Sequence, residues 1–214
     1  MKKKFDLSLY LVLDPIQCGG IDGLLQTTRL AVENGVTIVQ LRADEFKKGE
    51  WYAAAKALKE LLTATGVPLI INNEVDVALS VDADWVHIGQ KDLPVCVARD
   101  LLGPDKILGL STSNEAEVVA SYAENVDYIG IGPVFPTTSK KNAPPDVGVN
   151  GLQHLAQIRQ KPAVAIGGIN LGNMEGVLAC GVEGIAVVSA ICGQPDIALA
   201  SRNLAQGVLR YRRV

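Results

Sequence analysis

Seven short polar segments carry most of the chain's chemically useful side chains, and each follows a brief run of apolar, largely β-branched residues. They are Gln40-Leu-Arg42-Ala-Asp44, Asn72-Asn73-Glu74, Gly89-Gln90-Lys91-Asp92, Ser111-Thr112-Ser113, Thr137-Thr138-Ser139-Lys140, Gly167-Gly168 and Val188-Ser189. The groups they bring are groups that hold anions. Arg42 offers a planar fork of donors and Lys140 a mobile point charge, both suited to phosphate. Asn72, Ser111 and the hydroxyls of Thr137, Thr138 and Ser139 add neutral donors. Asp92 stands beside carboxamides rather than histidines, which suits Mg²⁺ shared with phosphate oxygens. The glycines at 167–168 and the backbone after Val188 expose N–H groups of the kind that bind phosphate. Such a set makes two anion subsites, one cationic with a metal and one built from backbone amides.

Taken singly, each piece has a plainer use. Arg42 would serve in a surface ion pair, Gly167-Gly168 in a turn, and Asp92 as the N-cap of a helix starting near Pro94. His87 alternates with Val86 and Ile88 and reads as a packed structural histidine. His154 sits in a helical pattern as surface or core filling, and Glu74 and Asp76 read as first-turn charges that favour a helix N-terminus. Their co-occurrence after successive apolar runs is what gives the anion reading its weight.

The elements that must position these groups alternate along the chain. Strands are expected at Leu9–Leu13, Thr37–Leu41, Pro68–Ile71, Trp85–Ile88, Ile107–Leu110, Tyr128–Ile131, Ala163–Ile166 and Gly184–Val188. Helical patterns lie near 22–34, 51–64, 75–81, 94–102, 115–123, 149–159, 171–180 and 195–208. Strands separated by helices pair in parallel. A doubly wound open sheet would concentrate its chemistry at one switch point. Polar residues after nearly every strand instead favour an α/β fold that is a single (β/α)₈ TIM barrel over residues 1–214, with its site at the C-terminal strand ends.

Composition agrees and narrows the function. Aliphatic residues dominate, aromatics make up 5%, and the net charge is −3, so bulk attraction to nucleic acid is not expected. Cys18, Cys96, Cys180 and Cys192 form no CxxC pair and, with two histidines in the chain, argue against a zinc cluster. They read as reduced, space-filling core thiols of a cytoplasmic protein. After the basic head at Met1–Lys4, the apolar run is too short for a signal sequence and is stopped by Asp14-Pro15. No apolar run is long enough to span a membrane.

At its strand ends the chain resembles the thiamine phosphate synthase family. The resemblance spans nearly the whole chain, through "LYLVLDP", "VQLR" ending at Arg42, "PLIIN" ending at Asn72, "VHIGQKD" ending at Asp92, "GPVFPTTSK" ending at Lys140, "AIGGIN" and "AVVSAI". It implies a (β/α)₈ barrel that joins a hydroxymethylpyrimidine diphosphate to a thiazole phosphate and releases pyrophosphate. By that resemblance Gln40, Arg42, Asn72 and Ser111 meet the pyrimidine diphosphate, and Lys140 holds the departing pyrophosphate. Thr137, Thr138 and Ser139 contact the thiazole partner, and Gly168, Val188 and Ser189 cradle its phosphate. Asp92 binds Mg²⁺, with Asn73 at the second metal position; Arg42, Lys140 and Ser111 are the residues expected to act on the leaving group. A homodimer is expected for such a barrel.

Two departures fall at the diphosphate end. Asp44 stands where the family usually has lysine, and Asn73 where it usually has aspartate; Ser113 replaces a frequent histidine. One cation becomes an anion and one anion becomes neutral, leaving the site one charge more negative. Asp44, if it faces the site, takes over part of the metal coordination. Lys47, Lys48 and Lys91 read as solvated rather than as substitutes for the lost cation. Three readings therefore stand: an active synthase with a modified diphosphate site, a paralogue such as a thiazole phosphate isomerase, and a non-catalytic binding protein. A Schiff-base lysine is disfavoured, because Lys140 and Lys141 lie in a polar loop.

Overall fold

The computed structural model describes residues 5–140 and 142–212; the basic head and Lys141 lie outside them. The elements run β1 Leu9–Leu13, α1 Pro15–Cys18, α2 Ile21–Glu33, β2 Ile38–Leu41, α3 Lys48–Thr63, β3 Leu69–Asn72, α4 Val75–Ser80, β4 Trp85–Ile88, α5 Val95–Leu102, β5 Ile107–Thr112 and α6 Glu115–Ala120. They continue β6 Tyr128–Ile131, α7 Gly148–Ile158, β7 Ala163–Ile166, α8 Met174–Leu178, β8 Gly184–Val187 and α9 Ile197–Arg212. Neighbouring strands are parallel and β8 pairs with β1, so the sheet closes in chain order into a single (β/α)₈ TIM barrel. Closure explains the near-continuous apolar runs: strands covered by helices outside and filled inside have no solvent face.

Four details differ from the sequence expectation. β5 runs on to Thr112 and β3 includes Asn72, so Ser111 and Asn72 are strand residues with fixed directions. Asp14-Pro15 ends β1 and also starts α1, with Asp14 accepting from the N–H groups of Ile16 and Gln17 and proline in the first turn. After β8 the chain makes successive tight turns, Cys192 N–H to Val188 C=O at 2.8 Å and Gln194 N–H to Ile191 C=O at 3.2 Å, and the last helix begins only at Ile197. Cys96 is exposed on α5, so it is not a core thiol; Cys180 and Cys192 are buried.

One bracing device recurs at the N-terminal ends of the strands. A carboxylate just before an even strand accepts an N–H from the start of the odd strand before it, and it pairs with a cation from the helical region that leads into that odd strand. Asp84 takes Leu69 N–H at 3.0 Å and Lys59 at 2.9 Å. Asp127 takes Leu108 N–H at 2.9 Å and Arg99 at 2.8 Å, and Glu183 takes Ala163 N–H at 2.6 Å and Arg159 at 2.8 Å. These contacts serve stability, as expected at that face of a barrel.

The barrel interior is set by side-chain direction. Tyr10, Gln40, His87, Ser111 and Tyr128, from five different strands, are joined by hydrogen bonds that can run only through the lumen. Alternation along a strand then puts Arg42, two residues beyond Gln40, on the same inner face at the rim. Gly109 makes the room: a Cβ there would lie 2.3 Å from Tyr128 Cζ and 2.5 Å from His87 Nδ1. Below them Phe5 stands edge-on to Trp85, ring centroids 5.2 Å apart, and fills the opposite end.

Candidate active site

Arg42 is the centre of the rim. Its side chain is 9% exposed, and one Nη2 donates to the carbonyl of Ser139 while standing 3.8 Å from Asp14 Oδ2. Its Nε lies 3.7 Å from Asp44 Oδ2. Arg42 thus connects the end of β2 with the loop after β6, and it sits between two cavities.

The first cavity, about 190 Å³, is lined by Asp44, Phe46, Lys48, Trp51, Asn72, Asn73 and Glu74. Asp44 therefore faces this cavity. Lys48 also borders this cavity and stays 60% exposed, as its solvated reading expected, with its ammonium shared between Glu74 and Asp76. Two carboxylates, Asp44 and Glu74, stand here against one ammonium, so the wall favours a ligand that brings a cation with it. Asn73 is held at φ 62°, a left-handed conformation that asparagine tolerates, with its N–H bonded to His87 C=O at 2.9 Å. Asp92 sits on the neighbouring strand end, exposed; its Oδ2 accepts from Gly89 N–H at 2.7 Å. It does not cap α5, where Pro94 holds the cap position. Among the described residues no group of three or more His, Cys, Asp or Glu is placed to hold a metal by itself.

The second cavity, about 260 Å³, is lined by Pro136, Thr137, Thr138, Ser139, Gly168 and Ser189. Gly168 has φ +63°, and a Cβ there would fall 2.7 Å from Phe135 Cβ and 2.8 Å from Pro136 C=O. Glycine is required because the loop after β6 packs directly on the turn after β7. That loop is also held by Phe135 N–H to Gly167 C=O at 3.0 Å and by Gln17 Nε2 to Ser139 Oγ at 3.4 Å. Val188 is buried beneath Ser189, which is exposed at the mouth. Lys140 is exposed on the same loop, and its ammonium has no hydrogen-bond or ion-pair partner among the described residues.

Gln40 lies deeper than the rim, and Ser111 stands half-buried at its inner edge. Gln40 is 4% exposed, and its Nε2 donates to Tyr10 Oη at 2.5 Å. Ser111 Oγ is 2.9 Å from His87 Nε2, and its carbonyl accepts from Gln90 Nε2 at 2.7 Å. Burial, reinforced by the charge of Lys140, pushes the His87 imidazole down from 6.5 to about 3, so it is neutral at physiological pH. The linkage has a definite sign. The unfolded chain takes up this proton near pH 6.5 and the folded protein only near 3, so His87 favours folding at high pH. That contribution is expected to fall by about 1.4 kcal/mol per pH unit as the pH drops between those values. Denaturant titrations across that range should give a steeper loss than the same titrations of a His87→Gln variant.

The plainer readings hold for some residues. His154 pairs with Glu115 at 2.9 Å on the surface, and Glu74 and Asp76 stand at the start of α4. Residues of the site that were not foreseen include Asp14 and Gln17, which hold Arg42 and Ser139, Tyr10 and Tyr128 in the lumen, and the cavity-lining Phe46, Trp51 and Pro136. Asp14 follows the first strand, so the strand-end rule reaches it. The tyrosines, set within apolar strands, carry no such signal.

A family model described as thiamine monophosphate synthase matches residues 9–191. The thiamine-phosphate synthase of Laribacter hongkongensis is 50% identical over 204 residues, covering 95% of this chain and 96% of that protein. That of Xanthobacter autotrophicus is 45% identical over 212 residues, covering 99% and 100%. A solved thiamine phosphate pyrophosphorylase from Pyrococcus furiosus superposes with TM-score 0.86 at 35% identity, over 96% of each chain. A 3-hexulose-6-phosphate synthase from Salmonella typhimurium, with TM-score 0.74, 20% identity and coverage of 95% and 99%, shares the fold alone.

Proposed function

The chain belongs to the thiamine monophosphate synthase family, and from that premise we propose that it is a transferase joining hydroxymethylpyrimidine diphosphate to thiazole phosphate across its two rim cavities. The observation that carries this reading is their arrangement around Arg42. One cavity has a polar wall that favours a cation-bearing diphosphate, and the other is lined by hydroxyls and a tight glycine turn. The diphosphate occupies the first, and the thiazole phosphate occupies the second, with Thr137, Thr138 and Ser139 along the ring and Gly168, Val188 and Ser189 about the phosphate.

The reaction then needs little proton transfer. The bond between the pyrimidine methylene carbon and the diphosphate oxygen breaks, and its electron pair leaves with pyrophosphate. The lone pair of the thiazole nitrogen forms the new carbon–nitrogen bond, giving a thiazolium. That nitrogen carries no proton, so no general base is required, which fits a rim without an exposed histidine. Arg42, Lys140 and the Ser111 hydroxyl act on the charge that grows on the leaving group, where their effect is greatest in the transition state. Holding the thiazole in the second cavity converts an encounter into an oriented attack.

Asp92 Oδ1 and the Asn73 carboxamide accept no hydrogen bond among the described residues, and they flank neighbouring strand ends. One carboxylate and one amide oxygen would give Mg²⁺ a partial shell, the rest to come from phosphate oxygens and water. These two residues would hold the ion, which supplies charge neutralisation to the leaving pyrophosphate.

The cavity assignment is tested by a split in KM. Gly168→Ala forces the 135–136 backbone away from the turn, and it should raise KM for thiazole phosphate by roughly tenfold or more. KM for the diphosphate should stay within about twofold. A rise in the diphosphate KM instead would reverse the assignment.

A further inference from the structure

Gln40, Tyr10, Tyr128, His87 and Ser111 form one continuous chain of hydrogen bonds through the barrel lumen. The links are Gln40 Nε2 to Tyr10 Oη at 2.5 Å, Tyr10 Oη to Tyr128 Oη at 3.1 Å, Tyr128 Oη to His87 Nδ1 at 3.0 Å, and His87 Nε2 to Ser111 Oγ at 2.9 Å. Such a chain must have a direction. Each tyrosine has one hydroxyl proton, and a neutral imidazole donates from one nitrogen and accepts at the other. An amide nitrogen only donates, and among the described residues the Tyr10 proton has Tyr128 Oη as its one acceptor, so the Gln40 end sets the sense of every later link.

From this geometry we infer that His87, Tyr128 and Tyr10 are positioning residues for the transferase reaction, passing one hydrogen-bond direction from Gln40 to Ser111. Tyr10 accepts from Gln40 and donates to Tyr128, and Tyr128 donates to His87 Nδ1. His87 is therefore the Nε2–H tautomer and donates to Ser111 Oγ. The Ser111 hydroxyl, with its acceptor side occupied, has its own proton free for the rim. In the opposite sense Ser111 would donate to His87, and that proton would point down into the lumen. The chain makes a serine at the mouth of the barrel an obligatory donor to an anion, and it does so without a charge on the histidine. Gly109 permits the arrangement, since a side chain at that position would fall on both Tyr128 and His87.

This rests on the reading above that Ser111 faces the diphosphate, but the direction can be measured without turnover. The chain has two histidines, so ¹⁵N-histidine NMR of the whole protein gives two imidazole patterns, and a His154→Gln variant assigns them. The expected result is His87 as a neutral Nε2–H tautomer. The Nδ1–H tautomer would overturn the proposal, whether or not the protein turns over. In the coupling assay Tyr128→Phe should lower kcat between about ten- and a hundredfold, with KM for thiazole phosphate unchanged. In a Ser111→Ala background the same change should cost less than about twofold, because its effect runs through the serine. An equal loss in both backgrounds would mean that Tyr128 merely supports the fold, and would also overturn the proposal. Absence of turnover from the unaltered protein would refute the transferase reading, with the tautomer still deciding the chain's direction.

Discussion

Replacing Lys140 by alanine is expected to lower kcat by about two to three orders of magnitude while leaving the thermal midpoint unchanged. The separation follows from its setting. The ammonium is exposed and has no hydrogen-bond or ion-pair partner among the described residues, so the fold loses nothing when it goes. Its electrostatic reach is nonetheless evident, because it helps to keep His87 neutral. A cation placed where charge develops contributes on the scale of a lost oxyanion donor, about 10²–10³ in rate. Lys140→Arg should recover part of the loss, since charge is kept and shape is not. Steady-state kinetics with both substrates decides the matter. A kcat within about twofold of the original would remove Lys140 from the leaving-group site.

Asp127→Ala is expected to have the largest effect on stability, about 3 kcal/mol, from the face of the barrel opposite the site. The Asp127 and Arg99 side chains are 9% and 7% exposed and meet at 2.8 Å. Asp127 Oδ2 also accepts the Leu108 N–H at 2.9 Å. Removing the carboxylate leaves a buried guanidinium with only its carbonyl partners and a strand N–H without its acceptor, and breaking such a pair is strongly destabilising. For a chain of this length the midpoint should fall by roughly 10 °C. The KM values of the folded fraction should stay as they were, because the bracing contacts and the rim lie at opposite ends of the strands. Calorimetry with kinetics below the transition checks both halves.

The barrel was legible because its strands are short, apolar and separated by helical periods, a pattern that leaves few topologies. Arg42, Asn72, Thr137, Thr138 and Ser139 were legible for the same reason: polar residues directly after buried strands have few places to point. What the sequence could not supply was partnership. Gln40 read as a rim contact, yet its amide is bonded inside the lumen, because strand alternation fixes its face and the Tyr10 hydroxyl fixes its partner. Lys48 read as a solvated charge and is exposed, but its ion pairs with Glu74 and Asp76 come from the start of α3 meeting the start of α4, which no local pattern announces. Helix α1 was hidden because an aspartate followed by proline stops a strand and caps a helix equally well. The tyrosine–histidine chain joins residues as far apart in sequence as Tyr10 and Tyr128, and no local pattern encodes such a pair.

The most direct test of the central claim is the coupling reaction itself, run with both substrates across a Mg²⁺ titration. Thiamine phosphate and pyrophosphate are followed together, and an Asp44→Lys/Asn73→Asp variant is measured beside the unaltered protein. The account predicts equimolar products from the unaltered protein, and half-saturation at lower Mg²⁺ in the variant, where a carboxylate replaces a neutral ligand. No product from the unaltered protein, with turnover appearing only in the variant, would contradict it: the rim would then bind its phosphates without joining them.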